Sequence, residues 1–161
     1  MRLGPGERSP ATKPEPRRRR RMSGAVRSRD ESPIRVAAAV VWRDGRLLFT
    51  RRPPGGALGL MWELPGGKIE NGETPQRALE REIGEELGVS AAALEVVGVH
   101  RHTYPHGLAV EISFLACTLA SFEFRTGHEV HEVRWARPED MDFEQVLEAD
   151  RDFLRGLRAR G

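Results

Sequence analysis

Between Leu64 and Val89 the chain carries a glycine-rich turn followed by one sharply delimited helix, and this segment restricts the folds open to it more than any other. Thr74-Pro75 reads as an N-cap with proline at the first helical position, and Gly88 as a C-terminal stop, which predicts a helix over Pro75 to Leu87. Leu79, Ile83 and Leu87 recur at i, i+4 and i+8, so one stripe of that helix must be covered by the rest of the fold. Glu82, Glu85 and Glu86 stand at i, i+3 and i+4 and project from another face, where Glu85 and Glu86 are expected on the solvent side. Acidic helix faces are ordinarily only solvated. Here, however, like charges four residues apart repel by a few tenths of a kcal/mol, and Arg81 relieves them only in part. Three clustered carboxylates are hard oxygen ligands, matched chemically by a divalent cation such as Mg²⁺ or Mn²⁺. Crowded carboxylates raise one another's pKa, so such a site forms poorly without its cation. Upstream, Leu64-Pro-Gly-Gly-Lys-Ile-Glu-Asn-Gly-Glu73 has three glycines whose missing Cβ atoms let backbone groups approach a ligand closely.

The remainder reads as one small domain behind a basic tail. A length of 161 residues suits a single domain. The longest apolar run, Val36 to Trp42, falls far short of the roughly 18 residues of a membrane span. Cys117 is the single cysteine, so neither an internal disulfide nor a thiolate zinc site is available, and a reducing cytoplasm is the expected location. Residues 1–32 hold ten Lys or Arg against four acids, whereas the other 129 hold 16 basic and 20 acidic side chains. That tail, rich in Arg and Pro, buries almost nothing apolar and is expected to be disordered. It lacks the apolar stretch of a secretory signal, and Met22 is a second candidate start. A nucleic-acid contact through the Arg run is disfavoured by the acidic body. Nothing in the sequence sets the oligomeric state.

From Ile34 the pattern is that of packed structure. Ile34 to Trp42 reads as a continuous apolar strand, Arg43 to Arg46 as a hairpin turn of the Asp-Gly kind, and Leu47 to Thr50 as the returning partner, a buried hairpin. Arg51 to Gly59 reads as a loop, Leu60 to Leu64 as a short apolar stretch, and Leu94 to Tyr104, Ala109 to Leu119 and Val130 to Trp135 as strands. Glu148 to Arg158 closes the chain as a helix. The class is α+β with a mixed sheet.

Gly67, five residues, Glu73, seven residues, then Arg81-Glu82-Ile83-Gly84-Glu85-Glu86-Leu87-Gly88-Val89 match the box Gly-x5-Glu-x7-Arg-Glu-U-x-Glu-Glu-x-Gly-U, with U aliphatic, at every position. The chain thus resembles the Nudix hydrolases. It is similar in particular to their MutT-like nucleoside triphosphate pyrophosphohydrolase branch over about Ile34 to Leu157, through Thr50-Arg51-Arg52, Trp62 to Lys68, Glu129 six residues before Trp135, and Ala149-Asp150. The resemblance implies an α/β/α sandwich with a mixed sheet over residues 33–161. It also implies a Mg²⁺-dependent enzyme, Mn²⁺ being possible, that takes a nucleoside triphosphate to the monophosphate and pyrophosphate by attack of water on the β-phosphorus. The implied metal ligands are the Gly66 carbonyl, Glu82, Glu85, Glu86 and Glu129. Glu82 is the favoured general base and Glu129 the alternative, while Arg81 positions Glu82 or pairs with Glu73 in support of catalysis. Arg52 and Lys68 are candidate phosphate contacts, a fork and a point charge respectively. Asp150 is the candidate reader of the base, where the best-known sanitising members carry Asn, and some of the histidines between His100 and His131 are expected to line the base pocket. Oxidised purine nucleotides such as 8-oxo-dGTP, and CTP or dCTP, are the leading substrates. Pro105, sixteen residues after Val89, is a mark shared with ADP-ribose hydrolases, so ADP-ribose or another nucleoside diphosphate derivative is an alternative. A catalytically silent nucleotide-binding domain is another, which the intact glutamate set opposes.

Overall fold

The strand Ile34–Val40 (β1) is apolar from Val36 onward and buried from Ala37 to Val40 because that part is covered on both faces. Ala37, Ala39 and Val41 point to one core with Ala78, Leu79, Ile83 and Leu87, whereas Ala38 and Val40 point to another with Phe114, Phe153 and Leu154. The structure is a computed structural model that describes residues 32–158. Apart from its last residue, the basic tail expected over residues 1–32 lies outside the described residues.

The further elements are Trp42–Arg43 (β2), Arg46–Arg51 (β3), Trp62–Glu63 (β4), Gly66–Lys68 (β5), Pro75–Leu87 (α1), Ala91–Thr103 (β6), Ala109–Leu119 (β7), Glu132–Ala136 (β8) and Glu148–Arg158 (α2). One mixed sheet has the order β5-β1-β7-β6, with β1 and β7 parallel and the other neighbours antiparallel. Helix α1 packs on one face and α2 on the other, the layered α+β arrangement that the resemblance implies. A second, antiparallel sheet is built on β3, which pairs with β2, β4 and β8. No helix among the described residues is long and apolar enough to cross a membrane.

Both helices run over the residues their sequence signals predict. Thr74 Oγ1 accepts the Arg77 amide N–H at 3.2 Å, and Gly88 closes α1 in the left-handed region at φ 65°. The opening hairpin differs from expectation. Strand β1 pairs with β5 and β7 rather than with β3, and the chain crosses between sheets at Val41, whose carbonyl accepts the Leu48 amide N–H. Only Trp42–Arg43 folds back on Arg46–Leu47, around an Asp44-Gly45 turn with both φ values positive, 49° and 72°. The crossing leaves Trp42 49% exposed instead of buried in a hairpin. Gly66 to Lys68, expected as loop, is a strand because Gly66 and Gly67 lie against Ala38 and Ala37 of β1. A Cβ on Gly66 would fall 2.0 Å from the Ala37 carbonyl oxygen, an approach open only to glycine.

Candidate active site

Strand β5 delivers the glycine turn to the middle of α1, and the site is assembled where they meet. Arg81 organises it. Its Nε and Nη2 donate to the Glu73 carboxylate at 2.8 and 3.0 Å, Nη1 donates to Glu82 Oε1 at 2.8 Å, and Nη2 also donates to the Lys68 carbonyl at 3.0 Å. Both roles considered for Arg81, positioning Glu82 and pairing with Glu73, are therefore present in the geometry. Glu73 in turn accepts the Glu70 amide N–H at 2.9 Å, which closes the glycine loop on itself. The hydrogen bonds from Arg81 and then from Glu70 hold the Glu73 carboxyl down at about 2. Gly67 faces the Glu82 carboxyl so closely that a Cβ there would come within 2.4 Å of it.

The three helix glutamates do not share one environment. Glu85 is exposed and lies 3.5 Å from Arg81 Nη1. Glu82 is mostly covered, and its pKa is raised, first by burial and then by the charges of Glu85 and Glu129 against the opposing pull of Arg81. Glu86, expected on the solvent side, is buried instead, 9% exposed, with Oε2 accepting the Gly66 amide N–H at 3.3 Å. The segment 125–130 is tied to the end of α1 by Arg125 N–H to Leu87 O and Gly127 N–H to Glu86 O, both 2.9 Å. Burial pushes the Glu86 carboxyl up to about 9, and Glu63, Glu82 and Glu129 add their repulsion. Exposed Glu129 thus faces the helix glutamates from a loop more than forty residues away. Among the described residues no three His, Cys, Asp or Glu side chains close around one point at metal-binding distance. Like charges hold the carboxylates apart and Arg81 draws Glu82 and Glu85 towards itself. The donor set suits a hard divalent cation, since carboxylates this crowded are relieved by positive charge among them.

Glu63 had no role in the reading of the sequence. Strand β4 presents it between buried Trp62 and Leu64, where burial raises its pKa to about 7 against the pull of Arg52. Arg52 Nη1 donates weakly to both Glu63 oxygens at 3.4 and 3.5 Å. A carboxylate alternating with two apolar residues in a short strand is the signal that marks it. Asp150, in the first turn of α2, is 5% exposed, and its Oδ2 accepts the Leu64 amide N–H at 2.9 Å. Burial raises its pKa to about 7, with Glu63 adding to the effect. Buried Tyr104 is close by, its own pKa pushed up to about 12 by burial and by Asp150, Glu63 and Glu148. Arg52, Glu63, Tyr104 and Asp150 therefore make one group adjoining the glutamates. Lys68 presents an exposed side chain at the end of β5. The histidines divide. His102 packs edge-on to Tyr104, with Nε2 3.2 Å from Glu148, whereas His100 lies against Phe114 and Phe153, further along α2.

The family model for the NUDIX domain matches residues 33–157, and the chain belongs to the NUDIX family as a MutT-like Nudix hydrolase. It is 32% identical over 130 residues to a CTP pyrophosphohydrolase of Escherichia coli K12, a match covering 78% of this chain and 92% of that protein. It is 30% identical over 129 residues to an 8-oxo-dGTP diphosphatase of Haemophilus influenzae, covering 80% and 93%. The crystal structure of a MutT NUDIX hydrolase from Burkholderia pseudomallei superposes with a TM-score of 0.68 at 29% identity, covering 78% of this chain and 98% of that one.

Proposed function

We propose that this hydrolase cleaves nucleoside triphosphates to a nucleoside monophosphate and pyrophosphate, with oxidised deoxynucleotides such as 8-oxo-dGTP, or CTP and dCTP, as substrates. The observation that carries the reading is the junction of two groups: the carboxylates of Glu82, Glu86 and Glu129 on one side, and Arg52, Glu63, Tyr104 and Asp150 on the other. The first suits a polyphosphate with its cation and the second a heterocycle. The activities named for the Escherichia coli and Haemophilus influenzae relatives support the same substrate class.

Mg²⁺, or Mn²⁺, would be held by the Gly66 carbonyl, Glu82, Glu85, Glu86 and Glu129. When bound it supplies charge neutralisation on the phosphoryl oxygens and a water of lowered pKa. The side chains do the rest. Glu82, oriented by Arg81 and kept in place by Glu73, takes a proton from the attacking water, with Glu129 the alternative base. Arg52 trades its long contacts with Glu63 for phosphate oxygens, and Lys68 adds a point charge. Asp150 reads the base beside Tyr104. The reaction belongs to the cytoplasm, where it removes damaged nucleotides from the pool. The test is a panel of nucleotides with Mg²⁺, reading pyrophosphate against orthophosphate. Release of pyrophosphate from a triphosphate is expected, and hydrolysis confined to ADP-ribose or similar diphosphates would overturn the reading.

A further inference from the structure

Along α2 beyond Asp150, the helix and the sheet part to form a pocket of about 440 Å³, open to solvent on one side, that contains none of the groups assigned to nucleotide hydrolysis. Its floor crosses three neighbouring strands through Val40, Ala116 and Val97, the last at the irregular register between Val96 and Gly98 of β6. Its roof is Phe153, Gly156 and Leu157, one to two helical turns past Asp150.

Small residues open this space. Ala116 leaves the floor low between two valines. Gly156 stands inside α2, where glycine is a poor helix former, and a Cβ there would meet nothing within 4 Å. The walls are aromatic. Trp42 stands half-exposed at the cavity, and His100 lines it as well, its ring edge-on to the stacked pair Phe114 and Phe153, whose centroids are 4.0 Å apart. Polar capacity is confined to two groups. Asp152 holds Arg155 through Oδ1 at 2.8 Å and keeps Oδ2 as an acceptor, and the His100 imidazole offers one donor and one acceptor, or two donors when charged.

We propose that this cavity is a second binding site, for a planar heteroaromatic ring bearing an amino group, of the size and kind of a free nucleobase or nucleoside. Aromatic walls favour a flat ring through stacked and edge-on contacts that an aliphatic ring of equal volume does not gain. The volume lies within the range of small-molecule pockets, and an apolar space with a few polar groups at its border is their usual construction. Acceptors at the border select a ring with N–H donors, and the absence of any demand for phosphate separates this occupant from the triphosphate at the glutamates.

The experiment is a titration of the full-length ¹⁵N-labelled protein with adenosine. It follows the indole N–H of Trp42, identified as the resonance lost in Trp42→Phe, together with the Gly156 amide. Saturable shifts of both are expected, with Kd under about 1 mM. Filling the roof with Gly156→Leu, or the floor with Ala116→Val, should weaken binding at least tenfold while nucleotide turnover is retained, and Asp150→Asn should leave it unchanged. Cyclohexanol should bind at least tenfold more weakly than adenosine. Absence of saturation, full affinity in both cavity-filling variants, equal binding of cyclohexanol, or loss of the shifts in Asp150→Asn would each overturn the proposal, the last by assigning the shifts to the nucleotide site.

Discussion

Asp150 Oδ2 accepts the backbone N–H of Leu64 at 2.9 Å, joining the first turn of α2 to the turn that leads into the glycine loop, 86 residues earlier in the chain. One carboxylate oxygen is thereby committed to the backbone and Oδ1 remains for a ligand. Asn can keep the Leu64 contact through its carbonyl, but it then presents an amide donor where ionised Asp presents an acceptor. Asp150→Asn should change the ratio of kcat/KM between 8-oxo-dGTP, dGTP and CTP by about tenfold or more, the scale of a hydrogen bond to a charged group at ~1.5 to 3 kcal/mol. Asp150→Ala should also lower the thermal midpoint, since it leaves the Leu64 amide unpaired. A parallel fall on all three substrates in Asp150→Asn would make Asp150 structural only.

The same residue sets a pH dependence. Its carboxyl is raised from 3.8 to about 7 in the folded protein, so the folded state binds the proton more tightly than the unfolded chain does. Asp150 therefore favours the folded state most below pH ~4, and that contribution is lost as pH rises to about 7, by on the order of 4 kcal/mol. Glu63 and Glu86 titrate with the same sign, so the comparison is between parent and Asp150→Asn. The stability of the Asn variant relative to the parent should rise across pH 4 to 7 and level off above. Parallel curves measured by denaturant unfolding would remove Asp150 as the cause.

Glu86 should make cation binding visible through protons. With its carboxyl raised to about 9, it is largely protonated at pH 7, and a divalent cation can bind it only by displacing that proton. Mg²⁺ titrated calorimetrically at pH 7 should release protons, seen as a heat that varies with the ionisation enthalpy of the buffer. Glu86→Gln should reduce that release and lower turnover at least 100-fold. The variant should nonetheless melt no lower than the parent without cation, because it removes a buried, crowded carboxyl of nearly the same shape. Unaltered activity after exhaustive EDTA treatment would refute the metal assignment.

What was legible in the sequence follows the range of the interactions. Helix α1 ends where Thr74 and Gly88 end it, because caps act within one turn. The glutamate box is likewise close in sequence, its Arg81 contacts reaching back only to Glu73 and Lys68, 8 and 13 residues away. Strand partnership is not local. Nothing in Val41-Trp42 announces that the chain changes sheets there, and the continuous apolar run reads equally well as one longer strand. The burial of Glu86 comes with its contact to Gly66 of β5, twenty residues earlier in the chain, and helical period alone places Glu86 beside Glu82 on an open face. Glu63 is hidden from sequence for a similar reason: its neighbours Arg52 and Tyr104 arrive from other elements.

Residues 1–32 lie outside every matched position of the glutamate box and carry no composition that packs. Their deletion should leave kcat/KM within about threefold of the full chain. A larger loss at physiological salt, recovered on adding the excised peptide, would instead assign the Arg run to substrate recruitment.

Gly67 and Gly66 offer a contrast that separates catalysis from folding. On Gly66 a Cβ collides with the Ala37 carbonyl of the central strand, so Gly66→Ala must displace β5 and should lower the thermal midpoint sharply. On Gly67 the obstacle is the Glu82 carboxyl at 2.4 Å, the free end of a side chain that can swing aside. Gly67→Ala should therefore melt within a few degrees of the parent. Glu82 can yield only by leaving the place where Arg81 Nη1 holds it at 2.8 Å, and misplacement of a catalytic group by about 1 Å is enough to cost on the order of 100-fold. A fall of at least tenfold in kcat with KM within a few-fold of the parent is expected. Unimpaired kcat in a folded Gly67→Ala protein would show that the position of Glu82 does not limit turnover, and would shift the role of base to Glu129.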